Sequence, residues 1–139
     1  MFPPELERDA FRANNGEFGW TRLQIPTVID VLRAERIGIL GGELWWVRDG
    51  TEGWVGLIPQ RHGPPGVCHW ETERRSGEPW SQFIERGASD ALAVIGRWPM
   101  SGDLPPDLPG RILYNRTLVS EVEFKKLTIK DSNGAQFRL

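Results

Sequence analysis

A Gly-Gly pair set between two apolar runs constrains this chain more than any other feature. Residues 37–47 read Ile-Gly-Ile-Leu-Gly-Gly-Glu-Leu-Trp-Trp-Val. Ile37-Gly38-Ile39-Leu40 reads as a short apolar strand or the buried lead-in to one. Gly41-Gly42 then lets the chain bend or bulge before Glu43. Because side chains alternate across a strand, Glu43, Trp45 and Val47 share one face while Leu44 and Trp46 share the other. Two apolar faces back to back mean a strand covered on both sides, or one that leaves an aromatic face exposed.

The flanking segments supply partners for that strand. Pro26 suits a first helical turn, and Val28, Val31 and Leu32 recur at helical spacing with Asp30, Arg33 and Glu35 outward, so 26–36 reads as a helix. Upstream, 5–13 reads as a short helix with Leu6, Ala10 and Phe11 inward, ended by Asn14-Asn15-Gly16. Residues 17–21 then form a loop whose Phe18 and Trp20 cover a core edge. Downstream, strands 43–48 and 54–58 flank the turn residues 49–53 and predict a β-hairpin, which Pro59 ends. After a stiff loop carrying Pro64-Pro65, a third strand over 67–74 puts Cys68, Trp70 and Thr72 on its core side.

The strongest helix signal lies at 79–96. Glu78 and Pro79 suit its start, and Trp80, Phe83, Ile84, Ala88, Ala91, Leu92 and Ile95 trace one apolar face. Gly87 beside that stripe predicts a close approach of helix to sheet. Residues 97–110, with Trp98 and several prolines, read as a rigid surface crossing. A short strand follows at 111–114. Ser120-Glu121-Val122-Glu123 is a capping box opening a short helix to about Leu127. Asn133-Gly134 between 127–130 and 135–138 signals a terminal hairpin. The whole is expected to be one α+β domain spanning 1–139: an antiparallel sheet of three to five strands, with helices 26–36 and 79–96 packed against it.

Composition excludes several function classes. The net charge is −2, with 17 basic and 19 acidic residues, so no overall basic field recruits nucleic acid. Cys68 is the single cysteine, which rules out an internal disulfide. The first residues lack a signal pattern, and no apolar run approaches the roughly 18 residues of a membrane span. A cytoplasmic chain is expected, with no membrane partner and no cofactor. Cys68 and His69 are neighbours on a strand and point to opposite faces, so they cannot pair for nucleophilic catalysis. His62, Cys68 and His69 are too few and wrongly spaced for zinc. Gly41-Gly42 belongs to no phosphate loop. Glu71 and Glu73 share a strand face about 7 Å apart, a spacing usual on solvated sheets.

A binding surface remains. If helix 79–96 covers the Trp70 side, then His69, Glu71 and Glu73 lie opposite, beside Glu43 and whichever of Trp45 or Trp46 shares their face. Arg61 and His62 project from the adjoining loop. Arginine and aromatic anchors in a polar rim are the usual make-up of an interface. Two other readings stay open: a small enzyme or ligand-binding domain with a pocket near Arg61, His62 and Trp70, and a phage-like or structural accessory protein without a ligand.

An amphipathic helix leading into Ile39-Leu40-Gly41-Gly42-Glu43-Leu44-Trp45 resembles small bacterial immunity proteins found beside polymorphic toxins. Trp80, Phe83, Ser89, Ala91 and the Ala-Val-Ile at 93–95 are similar to the aromatic and small residues of a later helix in those proteins. The resemblance covers about residues 20–96. The Pro64-Pro65 loop, the crossing to Pro109 and the Ser120–Phe124 tail have no counterpart in it. It implies inhibition of a cognate toxin by direct binding, and it carries over no functional residue.

Overall fold

The computed structural model describes residues 3–48, 53–66, 68–97, 99, 104–105, 107–108, 110–127, 129–130 and 136–137. Val67, Trp98 and the Asn133-Gly134 turn, each singled out above, lie outside them. The chain runs helix α1 (Pro4–Arg8), strands β1 (Phe11–Arg12) and β2 (Phe18–Trp20), then a single 3-10 turn into helix α2 (Ile25–Ala34). Strands β3 (Gly38–Val47) and β4 (Cys68–Glu71) precede the long helix α3 (Trp80–Arg97). Strand β5 (Arg111–Val119), helix α4 (Glu121–Phe124) and the short pair β6 (Ile129–Lys130) and β7 (Gln136–Phe137) complete it. The five longer-range strands form one antiparallel sheet in the order β1-β2-β5-β3-β4. The expected α+β class is therefore what the chain adopts.

The Gly-Gly stretch is one continuous strand rather than a lead-in and a separate strand. Its pairing with β5 runs from Gly38 opposite Val119 to Val47 opposite Arg111, with a register shift between Ile39 and Gly41. Leu40 is the extra residue of that bulge, and bulges re-aim the side chains that follow. Both glycines are required by their neighbours. A Cβ on Gly41 would stand 2.1 Å from the Trp70 carbonyl oxygen of β4, and one on Gly42 would stand 2.0 Å from the Asn115 carbonyl oxygen of β5. On the helix side, a Cβ on Gly87 of α3 would lie 2.6 Å from the Ile39 carbonyl oxygen, the close approach that its place in the apolar stripe predicts.

Helices α2 and α3 cover one sheet face. Ile25, Val28, Ile29 and Leu32 of α2 and Ala88, Ala91 and Val94 of α3 form a core with Ile39, Leu44, Tyr114 and Trp20. Trp46, Cys68 and Trp70 pack against it half-buried. At the start of α3, Trp80, Phe83 and Ile84 join Val119 and Phe124 in a second cluster. The Ser120 capping box is present: the Ser120 hydroxyl accepts from the Glu123 amide and the Glu123 carboxylate accepts from the Ser120 amide.

Four local expectations are corrected. The 5–13 helix stops at Arg8 because the chain turns back at Asn14-Asn15-Gly16, pairing Phe11 with Gly19 and Arg12 with Phe18. Thus 17–21 is not a loop: its aromatics are on a strand, with Trp20 sealed in the core and its indole donating to the Leu6 carbonyl. The 54–58 strand reduces to isolated bridges, Trp46 with Gly56 and Ile58 with Gly66. Pro59 and the outward Trp54 and Leu57 leave it no ladder to extend. The fourth correction concerns β5, which extends well past the expected 111–114 and becomes the inner neighbour of β3.

Gly42→Ala is expected to lower stability by about 3 kcal/mol or more, since backbone cannot give way as a flexible side chain can. Gly96→Ala, where a Cβ meets nothing within 4 Å on α3, should raise it by up to about 1 kcal/mol. Urea denaturation of the two variants checks both signs.

Candidate functional site

The sheet face away from the helices divides into two halves. In one, Trp45 is 3% exposed and packs with Ala13, Val47 and Leu113, with Phe11 set edge-on at 6.5 Å. The turn after β1 closes over this half, and the Asn14 amide donates to the Gly53 carbonyl at 2.8 Å. Trp45 was expected at the partner surface, and the structure places it in the interior instead. Its indole Nε1 donates to Glu43 Oε1 at 2.7 Å, so it still fixes a surface group.

The other half is an open groove of about 600 Å³. Gly41, Gly42 and the Leu40 bulge form its floor, Asn115 and Thr117 of β5 one side, and His69 and Glu71 of β4 the other. Register explains the grouping. Glu43 stands opposite His69 on β4 and Asn115 on β5, while Gly41 stands opposite Glu71 and Thr117. All of these lie on the face away from the helices. Glu73, Arg74 and Leu127 close one end, and Glu17 from the β1–β2 turn contributes a further carboxylate.

Four of the expected site residues, Glu43, His69, Glu71 and Glu73, therefore converge. Arg61 and His62 do not join them; both are exposed on the loop after Ile58 and neither lines the groove. Trp70 does line it, so the imagined pocket shared by Arg61, His62 and Trp70 is not formed by this groove. Sequence reading missed Glu17, Asn115 and Thr117. Their signal was the alternation Leu113, Asn115, Thr117, Val119, hidden because Arg116 breaks the apolar pattern of the opposite face. It also missed an apolar edge: Val55 is 36% and Leu57 51% exposed. Val55 and Leu57 border a small cleft that shares Glu43 with the groove.

The groove is acidic, with Glu17, Glu43, Glu71 and Glu73 against His69 and Arg74. Arg74 is committed to structure: its Nη1 donates to the Lys125 carbonyl at 3.0 Å, and its guanidinium lies 4.9 Å over the Phe124 ring. Among the described residues no group of three or more His, Cys, Asp or Glu is placed to hold a metal ion. Cys68 and His69 do point to opposite faces, with His69 exposed and Cys68 half-buried.

The segment bearing Glu71 and Glu73 is held by a buried ion pair. Arg86 Nε and Nη2 of α3 donate to the two Glu78 carboxylate oxygens, each at 2.7 Å, and Nη2 also reaches the Glu73 carbonyl. Burial by itself would raise the Glu78 carboxyl, but Arg86 and the Arg75 amide together hold it below its ordinary value.

A carboxyl lowered in the folded state contributes stability that is complete above its unfolded value of about 4.5 and is lost as pH falls through the lower folded value. Glu78→Gln is accordingly expected to flatten the stability–pH curve as pH falls below about 4.5. Glu78→Ala should cost about 3 kcal/mol at neutral pH by leaving Arg86 unpaired. Thermal melts across that range check both.

No family model matches this chain, and no curated protein or solved structure is significantly similar to it.

Proposed function

We propose that the protein is a non-enzymatic binding module, an immunity protein that neutralises a bacterial toxin domain by seating a basic part of it on the acidic groove. The observation that carries this reading is the gathering of Glu17, Glu43, Glu71 and Glu73 on the open half of an otherwise covered sheet. Like charges on a rigid concave face raise the local potential and steer a cationic partner into register. The exposed Val55 and Leu57, which border the cleft that shares Glu43 with the groove, are residues able to supply the apolar anchor that charge alone does not give. The Ile-Leu-Gly-Gly-acid pattern supports the same reading through its likeness to immunity proteins. A cytoplasmic setting suits a chain whose single cysteine makes no disulfide.

A small enzyme or ligand-binding domain built on Arg61, His62 and Trp70 has less support, because the first two stand outside the groove that Trp70 lines.

Co-expression with the product of the neighbouring gene tests the proposal. The expected outcome is a stable complex and relief of that product's toxicity; neither complex nor relief would refute the immunity role. Glu71→Lys should weaken the complex by about tenfold or more, because a rim reversal acts on charge complementarity. Its melting temperature should stay near that of the parent, since Glu71 is exposed. A collapse of stability would show that Glu71 is structural.

A further inference from the structure

Strand β4 ends the sheet, and among the described residues no strand lies beyond it. An edge strand turns half of its backbone N–H and C=O groups outward, where another chain can pair with them. The pairing with β3 decides which half. The Thr72 amide donates to the Leu40 carbonyl at 2.6 Å, and the same register sets Trp70 opposite Gly42 and Cys68 opposite Leu44. In an antiparallel ladder, pairs that exchange hydrogen bonds alternate with pairs that do not, so the even-numbered residues of β4 aim their backbone at β3. The closeness of the Trp70 carbonyl oxygen to Gly41 agrees with this. His69 and Glu71 therefore aim their N–H and C=O groups away from the sheet, and both residues are exposed. The next odd-numbered carbonyl, that of Glu73, accepts from Nη2 of Arg86 on α3, which bounds the free edge at that end.

The side chains beside this edge select what can pair with it. His69 and Glu71 face the groove, with Glu43 opposite His69 on β3 and Glu73 just past the end of β4. A strand added to β4 stands about 4.8 Å away. In antiparallel addition, the residues that hydrogen-bond to His69 and Glu71 carry their own side chains on the same face, the groove face. Lysine or arginine suits those positions, because opposite charges across strands attract and like charges repel. The intervening residues fall on the helix side, next to the half-buried Cys68 and Trp70, where an apolar side chain extends the core. Every strand pair in the sheet is antiparallel, so such an addition continues the existing ladder. A second copy of this chain fits less well, since its β4 brings Glu71 and Glu73 to a face that already carries them.

We propose that the free edge of β4 takes up an extended segment of a basic partner protein by antiparallel strand addition. Lysine or arginine of that segment lies over the groove and alternates with apolar residues on the helix side. Backbone bonds at His69 and Glu71 supply affinity, and the alternate side chains supply selection. The proposal rests on the reading of the groove as a docking face for a basic protein, and adds how the partner's backbone is held.

Titration of the purified protein with an end-blocked peptide alternating lysine and valine tests it, read by heteronuclear NMR and amide hydrogen exchange. The expected result is saturable binding that slows exchange at His69 and Glu71 by about tenfold or more, and leaves Trp70, whose amide faces β3, unchanged. N-methylation of the lysine amides keeps the charge but blocks the edge that faces β4, and should weaken binding by about tenfold or more. N-methylation of the valine amides, which face solvent, should leave the affinity near that of the parent peptide. Glu71→Lys should weaken the lysine–valine peptide by about tenfold or more, and a glutamate–valine peptide should not bind the parent protein. If that variant fails to fold, the methylated peptides carry the test on the parent protein alone. Equal binding of the lysine-methylated and parent peptides overturns strand addition while leaving charge recognition by the groove intact. Strand addition is also overturned if the parent peptide does not bind saturably, in which case co-expression with the neighbouring gene product still decides the groove reading by itself. A homodimer with His69 and Glu71 protected in the absence of peptide overturns it as well, because the edge then belongs to a second copy.

Discussion

The structure depends on how closely three backbones approach β3 within a few residues. The Trp70 carbonyl of β4 sits over Gly41, the Asn115 carbonyl of β5 over Gly42, and Gly87 of α3 over the Ile39 carbonyl. Any side chain at these positions would push apart a strand pair or lift the helix. The bulge at Leu40 works with this closeness. Ile39, Glu43 and Trp45 are all odd-numbered and would share a face in an unbroken strand. The inserted residue instead sends Ile39 into the helix-side core while Glu43 and Trp45 occupy the other face. One irregularity thus supplies an apolar lead-in for the helices and a carboxylate for the groove.

What could be read from the sequence was what local periodicity determines. The apolar stripe of α3, the Pro26 start of α2, the capping box at Ser120 and the tight contact at Gly87 each follow from residues within a few positions of one another. Where partners are distant, the pattern ran out. Nothing local tells Trp45 from Trp46, because both alternate with apolar neighbours. Trp45 is enclosed by residues 11–14, whose own strand depends on pairing with β2. The 54–58 segment shows strand composition, yet Trp54 and Leu57 are exposed and only Gly56 and Ile58 make strand-like bridges.

β5 was the least legible element and has the most to do with both faces. Its polar run Asn115-Arg116-Thr117 looks like the end of a strand by composition. Each of those residues has a particular setting. Asn115 is buried and gives its amide to the Phe18 carbonyl at 2.9 Å, tying β5 to β2. Thr117 lines the groove, and Arg116 enters the interior. A polar run in a central strand is tolerable only when each side chain has a setting of its own, which sequence spacing does not reveal.

Trp45 connects the core to the proposed interface in a way that its burial at first hides. Enclosed by Ala13, Val47 and Leu113, its ring has little rotational freedom, and its indole N–H holds one oxygen of Glu43. Glu43 is thereby oriented before any partner arrives, unlike the more exposed Glu71 on the neighbouring strand and Glu73 just beyond its end. Ordering a flexible glutamate on binding would cost about 1 kcal/mol, a cost already met in folding when the carboxylate is anchored. In the proposed interface, Trp45 would act by fixing a charge that faces the groove, not by touching a partner. The groove itself is centred on β3 because Gly41 and Gly42 raise no side chains there, and Glu43 is the fixed carboxylate at its edge.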